Sequence, residues 1–249
     1  MTLGGTLCVK DGNALDYCWK EAVASLLGVC DQVVLCWGDS TDNTAADCAV
    51  LSMAHPKIKL VHYRWTDPVG DPDSYSHWID FARNHLWTDW HIQIDADEML
   101  HQDDYALILE QAQGKPKFCQ RINFWRDAKH LIPDGQCVHR RVFRLAPAHV
   151  KMGSHGPLCF QWQDEARPAD SRIRIFHYGF IRKDAAFRKK APIIYRMLEG
   201  INDTSFDKNP DGKWQDIPGI ATWQDQVEPY HGDHPHWAKP WLAERGYVL

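Results

Sequence analysis

Two aspartates that are one residue apart, Asp95 and Asp97, directly follow the apolar segment 90–94. Carboxylates at this spacing, just past a buried strand, supply hard oxygen ligands of the kind that Mg²⁺ or Mn²⁺ shares with substrate phosphates. A divalent ion bound there would neutralise charge on a departing diphosphate. The alternative is that both residues only form a turn and cap the helix predicted over residues 103–112. The position at the end of an apolar strand favours the metal site.

Alternating strands and helices must position this pair. Apolar segments predict strands over residues 5–9, 33–37, 58–63 and 90–94, with a helical pattern in each interval between them. Strands joined by such helices predict an α/β fold with a doubly wound, mostly parallel sheet and helices on both faces. A second acidic turn, residues 38–42, ends the second strand. Ligands of such sheets bind at the carboxyl ends of the strands, where both acidic turns fall.

The second half of the chain does not continue the regular alternation of strands and helices. Strand-like segments at 118–124, 138–145 and 172–177 precede a basic helical pattern over 181–199. The tail beyond residue 200 is rich in Pro, Gly, Asp, Trp and His, which favours loops and short helices. We therefore predict a catalytic domain over residues 1–180 and a C-terminal helical and loop extension over residues 181–249 that packs on it.

Four features in this order resemble family 2 glycosyltransferases with the GT-A fold, including phage and bacterial members. A first strand ends in a polar turn, and a second ends in Gly38-Asp39-Ser40-Thr41-Asp42. A helix then carries Phe81-Ala82-Arg83-Asn84, and the next strand ends in Asp95-Ala96-Asp97. The resemblance covers residues 4–100 well and the rest loosely. It implies a GT-A-type fold, a nucleotide-diphospho-sugar donor, Mn²⁺ or Mg²⁺, and inverting transfer of a hexosyl or pentosyl group to a hydroxyl.

The same resemblance implies roles for individual residues. Asp95 would lie near the nucleotide ribose or the metal, and Asp97 would bind the metal directly. Arg83 would approach the donor site. His177, which opens the segment His177-Tyr178-Gly179, would complete the metal site or contact the diphosphate, because imidazole can ligate a metal or donate a hydrogen bond to phosphate.

The donor-binding set is completed by residues at the other strand ends and in the basic segment. Lys10, Asp39 and Asp42 are expected to line the donor site. Where relatives place aspartates that contact the base, this chain has Trp37 and Gly38, so Trp37 is expected either to stack on a nucleobase or to belong to the core.

The basic segment contains five cationic side chains: Arg182, Lys183, Arg188, Lys189 and Lys190. Arg182 and its neighbours are candidates to stabilise the leaving diphosphate. For Lys189 and Lys190 we instead predict a solvated helix face.

An inverting transfer also needs a general base that takes the proton of the acceptor hydroxyl. The candidates are His155, Asp164 and Glu165, with Asp134 a further possibility, and none carries a clear sequence signature. The tract His231-Gly232-Asp233-His234-Pro235-His236 could suggest a metal site, but its spacing favours a polar loop.

The composition excludes several classes of protein. A formal net charge of −5 provides no global basic field for nucleic acid or anionic lipid. No apolar run approaches the roughly 18 residues needed to cross a bilayer, and no signal-peptide layout is present. We expect a cytoplasmic protein with no membrane span and no obligatory protein partner. The eight cysteines form no C-x-x-C pair, so neither a disulfide framework nor a cysteine zinc site is expected.

Several alternatives stay open from sequence. The acceptor is either a saccharide or cell-envelope component, or a hydroxymethylated pyrimidine in DNA of the phage type, contacted through stacking and phosphate binding. A nucleotidyltransferase on a similar sheet is a second enzyme class, although the turn 10–13 lacks the Gly-rich basic loop of such enzymes. A non-catalytic, Trp-rich sugar-binding module is a third.

Overall fold

An eight-stranded sheet organises the chain in this computed structural model, which describes residues 1–65, 74–132, 141–150, 153–154, 160–161, 169–183, 185–190 and 227–247. Its strands are β1 (Leu3–Val9), β2 (Gln32–Gly38), β3 (Ile58–Tyr63), β4 (Trp90–Asp95), β5 (Glu98–Leu100), β6 (Lys117–Asn123), β8 (Arg141–Pro147) and β11 (Ala169–His177). Two further strand pairs lie outside it: β7 (His130–Leu131) with β12 (Glu228–Pro229), and β9 (Gly153–Ser154) with β10 (Phe160–Gln161).

The strands are arranged in the order β3-β2-β1-β4-β8-β6-β11-β5. The first four are parallel, β8 runs antiparallel between β4 and β6, and β11 is parallel to β6. Only β8 and the edge strand β5 therefore oppose the common direction. This confirms the predicted α/β class with a mostly parallel sheet.

Helices connect the strands of the first half and continue into the second. They are α1 (Trp19–Leu27), α2 (Thr44–Ala54), α3 (Ser74–Arg83), a 3₁₀ turn (Gln102–Asp104), α4 (Tyr105–Gln111), α5 (described over 185–190) and α6 (Ala238–Ala243). None of the helices in the described ranges has the length and apolar character needed to cross a membrane.

Both faces of the sheet are buried. Because alternate residues of a strand point to opposite sides, one strand contributes side chains to two cores. On β2, Val33 and Leu35 join the core to which α1 contributes, whereas Val34 and Cys36 join the core to which α3 contributes. Full burial of an aliphatic side chain of this size contributes about 1.5–3 kcal/mol. The continuous apolar runs seen in the sequence are thus the signature of strands covered on two sides.

The described part of the C-terminal tail packs on the sheet domain. Trp241 and Leu242 of α6 share a core with Phe124 and Tyr178, and β12 pairs with β7. His234 Nε2 donates a hydrogen bond to the Ala128 carbonyl oxygen at 2.8 Å, and its Nδ1 accepts one from the Tyr178 hydroxyl at 2.8 Å. This histidine of the 231–236 tract is therefore buried as a packing element. The domain boundary at residue 180 stays a prediction.

Buried histidines make the stability of this fold depend on pH. Burial, followed by the charge of Arg83, lowers the pKa of His91 to about 3. Between that value and the unfolded pKa of about 6.5, the folded state binds fewer protons than the unfolded state. The stabilisation is therefore complete above about pH 6.5 and is lost as the pH falls, by at most about 1.4 kcal/mol per pH unit.

We expect His91→Gln to flatten this dependence in urea unfolding measured from pH 7.5 to pH 4.5. His55→Gln, at a surface position, is the matched control and should keep the full slope. An unchanged slope in His91→Gln would contradict the assignment.

Candidate functional site

The carboxyl ends of the parallel strands gather the predicted site residues at one edge of the sheet. Asp95, the last residue of β4, is paired in register with Cys8 of β1, and Lys10 follows Cys8 by two residues. The two-residue turn Ala96-Asp97 leads into β5, and β5 pairs antiparallel with β11 so that Glu98 lies opposite His177. The chain reversal between β4 and β5 therefore brings His177 beside Asp97, across 80 residues of sequence.

Asp95 is held in a buried network. Its Oδ1 accepts hydrogen bonds from the Tyr75 hydroxyl at 2.8 Å and the Gln93 amide at 2.9 Å, and its Oδ2 accepts one from Arg144 at 2.7 Å. Burial alone would raise the pKa of Asp95, but the charges of Arg144 and Arg121 outweigh it and hold that pKa below its usual range. Asp95 is thus an ionised, oriented carboxylate.

Glu98 extends this network into what we name the carboxylate–guanidinium cluster, made of Asp95, Glu98, Arg121 and Arg144. The Glu98 side chain is fully buried and lies 3.0 Å from Arg144 and 2.8 Å from Arg121. Its Oε2 also accepts a hydrogen bond from the Asp95 backbone N–H at 2.9 Å. Burial raises the pKa of Glu98, against the opposing charge of Arg144. The cluster sets two carboxyl groups against two guanidinium groups, and such pairing is the condition under which these groups can be buried.

Asp97 faces two cations and a histidine. Its Oδ2 accepts hydrogen bonds from Arg182 at 2.5 Å and from Lys190 at 2.8 Å, while its Oδ1 lies 3.7 Å from His177 Nε2. Both cations also lie over the Tyr17 ring, 4.3 Å and 4.8 Å from its centroid. Burial would raise the pKa of Asp97, but the charges of Lys190 and Arg182 outweigh it and hold that pKa well below the usual range.

His177 is buried and uncharged. Burial, followed by the charge of Arg121, lowers its pKa well below the usual range, so the imidazole is neutral at pH 7. Its Nδ1 is buried with no hydrogen-bond partner among the described residues. A Cβ on Gly179 would come within 2.3 Å of His177 Nε2 and 2.9 Å of Asp97 Oδ2, so only glycine lets the imidazole and the carboxylate pack this closely against the backbone at residue 179.

These features fit a divalent cation that takes some of its ligands from the protein and the others from a substrate. Asp97 Oδ1 and the neutral His177 Nε2 lie 3.7 Å apart, and both atoms are able to ligate a metal ion. Within the described ranges no group of three or more His, Cys, Asp or Glu side chains surrounds one point. A cation here would therefore draw its remaining ligands from phosphate and water, which is common for Mg²⁺ and unlike a closed protein cage.

The donor-site residues predicted at the other strand ends occupy the same edge. Trp37 stacks on His62 with ring centroids 3.9 Å apart and also packs against the core. Asp39 Oδ1 lies 2.8 Å from His62 Nε2, and Lys10 Nζ lies 5.7 Å from the Trp65 ring centroid. A role of these residues in binding a nucleobase stays a prediction.

Asp42 has a structural role at the start of α2, as its sequence position indicates. It accepts a hydrogen bond from the Thr44 backbone N–H at 2.9 Å and another from the Ala14 backbone N–H at 2.7 Å. These bonds tie the second acidic turn to the loop that follows β1.

Arg83 was expected at the donor site, and the structure places it elsewhere. Its guanidinium is buried and donates to the Ala148 carbonyl oxygen at 2.6 Å, next to the start of β4, where the Ala148 N–H in turn bonds Asp89. The reason is the direction of α3, whose last residue is Arg83. A helix that returns the chain to the start of the next parallel strand ends at the opposite edge from Asp95.

Lys190 also corrects the sequence interpretation. Its side chain is only 18% exposed and contacts Asp97, so it does not lie on a solvated face, whereas Lys189 is exposed as expected. The general-base candidates His155, Asp164 and Glu165, and also Asp134, lie outside the described residues.

Sequence reasoning missed three partners of Asp95, which are Tyr75, Arg121 and Arg144. It also missed Tyr17, whose ring lies under the two cations that face Asp97. Arg144 had a usable signal, because it is a charged residue flanked by Phe143 and Leu145 in a predicted strand. A buried charge in such a segment requires a partner. Tyr17 had no comparable signal.

No protein-family model matches the chain, and no curated protein matches it. Among solved structures, S. aureus TarS 1-349 in complex with UDP-GlcNAc is similar over 98% of this chain and 79% of its own, with 10% identity and a TM-score of 0.47. A mannosyltransferase from Pyrobaculum calidifontis in complex with GDP-Man and Mn²⁺ is similar over 49% of this chain and 36% of its own, with 17% identity and a TM-score of 0.39.

A 4-diphosphocytidyl-2C-methyl-D-erythritol synthase from Anaerococcus prevotii is similar over 78% of this chain and 94% of its own, with 8% identity and a TM-score of 0.47. One of these three solved structures is a mannosyltransferase, while the family 2 resemblance rests on the residues of the sequence alone. The phage part of that resemblance stays a prediction. Similarity at this distance does not carry an activity to this chain.

Proposed function

We propose that the chain is a glycosyltransferase that moves a sugar from a nucleotide-diphospho-sugar to an acceptor hydroxyl with the help of Mn²⁺ or Mg²⁺. The observation that carries the proposal is the juxtaposition of Asp97, neutral His177, Arg182 and Lys190 at the carboxyl edge of the sheet. A carboxylate and an imidazole suit a divalent cation, and two cationic side chains suit the diphosphate that would accompany it.

The residues of the site would have different roles: some would bind the metal ion, and others would stabilise the charge of the diphosphate. Asp97 and His177 would hold the cation, which when bound would neutralise charge on the departing diphosphate. Arg182 would add a guanidinium, fixed by its bonds to the carbonyl oxygens of Gly179 at 2.6 Å and Leu15 at 2.8 Å. A guanidinium that is already held in place stabilises the charge that develops in the transition state, and it does not have to move to do so.

Asp95 would orient the donor rather than bind the cation. Both of its oxygens accept hydrogen bonds from described side chains, which favours the ribose-proximal role over direct metal ligation. Inverting transfer, with the base among His155, Asp164 and Glu165, is part of the proposal by resemblance.

The acceptor is proposed to be a saccharide or a cell-envelope component. A DNA acceptor would need free cations for its phosphates. Two of the five basic side chains over 182–190 instead face Asp97, and the chain carries a net charge of −5. A gel shift with hydroxymethylpyrimidine DNA over a salt series should show no specific complex, and a complex that weakens steeply with salt would reverse this choice.

The decisive experiment is a panel of nucleotide sugars with Mn²⁺ or Mg²⁺ and no acceptor. We expect slow hydrolysis of one nucleotide sugar, with release of the nucleoside diphosphate and loss of activity in EDTA. Consumption of a nucleoside triphosphate with release of pyrophosphate would instead identify a nucleotidyltransferase. No turnover and no thermal stabilisation by any nucleoside diphosphate with Mn²⁺ would leave a non-catalytic module.

Gly179→Ala is expected to lower hydrolysis of the nucleotide sugar at least tenfold, because its methyl group would come within 2.3 Å of His177 Nε2 and push the imidazole away from its position beside Asp97. Overpacking of this kind costs about 1–3 kcal/mol, so the protein should remain folded. Gly114→Ala is the control, since its Cβ meets no atom within 4 Å although its φ of +70° disfavours alanine. It should lose about 1 kcal/mol of stability and no activity. Equal activities in the two variants would argue against the site.

A further inference from the structure

The ammonium of Lys190 occupies an unusual place for a lysine. It lies 2.8 Å from Asp97 Oδ2 and 4.8 Å from the centroid of the Tyr17 ring, and its side chain is only 18% exposed. Arg182 contacts the same oxygen, with a side chain that is 1% exposed and anchored to two backbone carbonyl groups. Of the two cations, Lys190 is therefore the one with freedom to leave.

The local charges do not balance without a ligand. Around Asp97 one carboxylate faces two cationic side chains, Arg182 and Lys190. The neighbouring carboxylate–guanidinium cluster is balanced within itself and contributes no net charge among the described residues. A divalent cation that approached Asp97 alone would meet repulsion from both cations, and the interior strengthens that repulsion.

We propose that Lys190 is a built-in counter-ion of Asp97, which a divalent cation must displace before it can bind this carboxylate. The displaced ammonium then becomes available to the diphosphate of the donor. The identity of the anion as a diphosphate rests on the proposed function. The competition between the metal ion and Lys190 for Asp97 does not. Lys190 is in this sense a positioning residue that couples the binding of the two ligands.

The arrangement has a consequence for ligand binding. Mn²⁺ alone should bind weakly, because it must separate an existing ion pair and add charge to a site that is already positive. A diphosphate supplies the missing negative charge, so each of the two ligands should raise the affinity for the other by the same factor. The ion pair also keeps Asp97 compensated while the site holds no substrate.

The test compares Lys190→Met with Lys189→Met, which removes the same charge one residue away from an exposed position. Binding of Mn²⁺ alone, and of inorganic pyrophosphate alone in EDTA, is measured by calorimetry and thermal shift. We expect Lys190→Met to bind Mn²⁺ at least tenfold more tightly than the unchanged protein and to bind pyrophosphate more weakly. Lys189→Met should resemble the unchanged protein in both.

A charge-conserving variant keeps the test informative. Lys190→Arg should retain weak binding of Mn²⁺, and circular dichroism should report the same fold for all three variants. The proposal is overturned if Lys190→Met binds Mn²⁺ no more tightly than Lys189→Met does. Failure of the proposed function has a different signature, because the nucleotide-sugar panel would then be negative while the Mn²⁺ comparison still gives a result.

Discussion

Asp97→Asn should lower the kcat/KM for sugar transfer roughly a hundredfold to a thousandfold, the range observed when one preorganised electrostatic contact is removed from a transition state. The amide keeps the size of the carboxylate but lacks the charge that a divalent cation needs. It also cannot form ion pairs with Arg182 and Lys190, which lie 2.5 Å and 2.8 Å from Oδ2. The loss should appear in kcat as well as in the affinity for Mn²⁺.

Stability must be measured alongside activity in this variant. Neutralising Asp97 leaves two buried cations next to each other, and breaking a buried pair costs about 3–5 kcal/mol. Urea unfolding establishes whether the protein is folded under assay conditions. Asp103→Asn is the matched control, because its carboxylate lies close in sequence and is 69% exposed. Retention of more than a tenth of the activity by Asp97→Asn, in a folded protein, would remove Asp97 from the proposed site.

Arg144→Met is expected to produce the largest loss of stability among single changes in the carboxylate–guanidinium cluster. The guanidinium is 2% exposed and lies 2.7 Å from Asp95 and 3.0 Å from Glu98. Its removal leaves the fully buried Glu98 with only Arg121 as a cationic partner among the described residues. We expect the free energy of unfolding to fall by about 3–5 kcal/mol.

Two companion variants make this expectation specific. Lys20→Met breaks the surface pair with Asp47, whose side chains are 51% and 31% exposed, and should cost at most about 1 kcal/mol. The double variant Glu98→Gln/Arg144→Met removes a buried charge of each sign, so it should lose less stability than Arg144→Met alone. If Arg144→Met costs no more than Lys20→Met, the cluster does not stabilise the fold as described.

The cluster connects stability with the proposed chemistry. Arg144 fixes Asp95 at the edge of β4, and the Glu98 carboxylate accepts the Asp95 backbone N–H at 2.9 Å. These bonds hold the turn that presents Asp97. A variant that loosens the cluster should therefore weaken nucleotide binding even under conditions where the protein remains folded.

The sequence by itself predicted the four parallel strands of the first half and the position of the acidic turns that follow two of them. Apolar runs such as residues 33–37 predict strands buried on both faces, because backbone groups in such segments must pair within a covered sheet. Helical patterns between them predict parallel connections, which send every strand end to one edge. Asp95 and Asp97 could be placed at that edge without knowledge of any long-range contact. The resemblance added His177, which lies 3.7 Å from Asp97.

Only the tertiary structure decided which charged side chains meet these carboxylates. Arg83 was assigned to the donor site by resemblance, yet it ends α3 beside the start of β4 and bonds Ala148. Lys190 was assigned to a solvated face, yet it turns to Asp97 across 93 residues of sequence. Local periodicity fixes which face of a helix is apolar, but the partner of a long cationic side chain depends on how distant elements pack. The partners of Arg144 could not be predicted for the same reason. Arg144 pairs with Asp95 and Glu98 because β8 lies beside β4 in the sheet, although the two strands are distant in sequence.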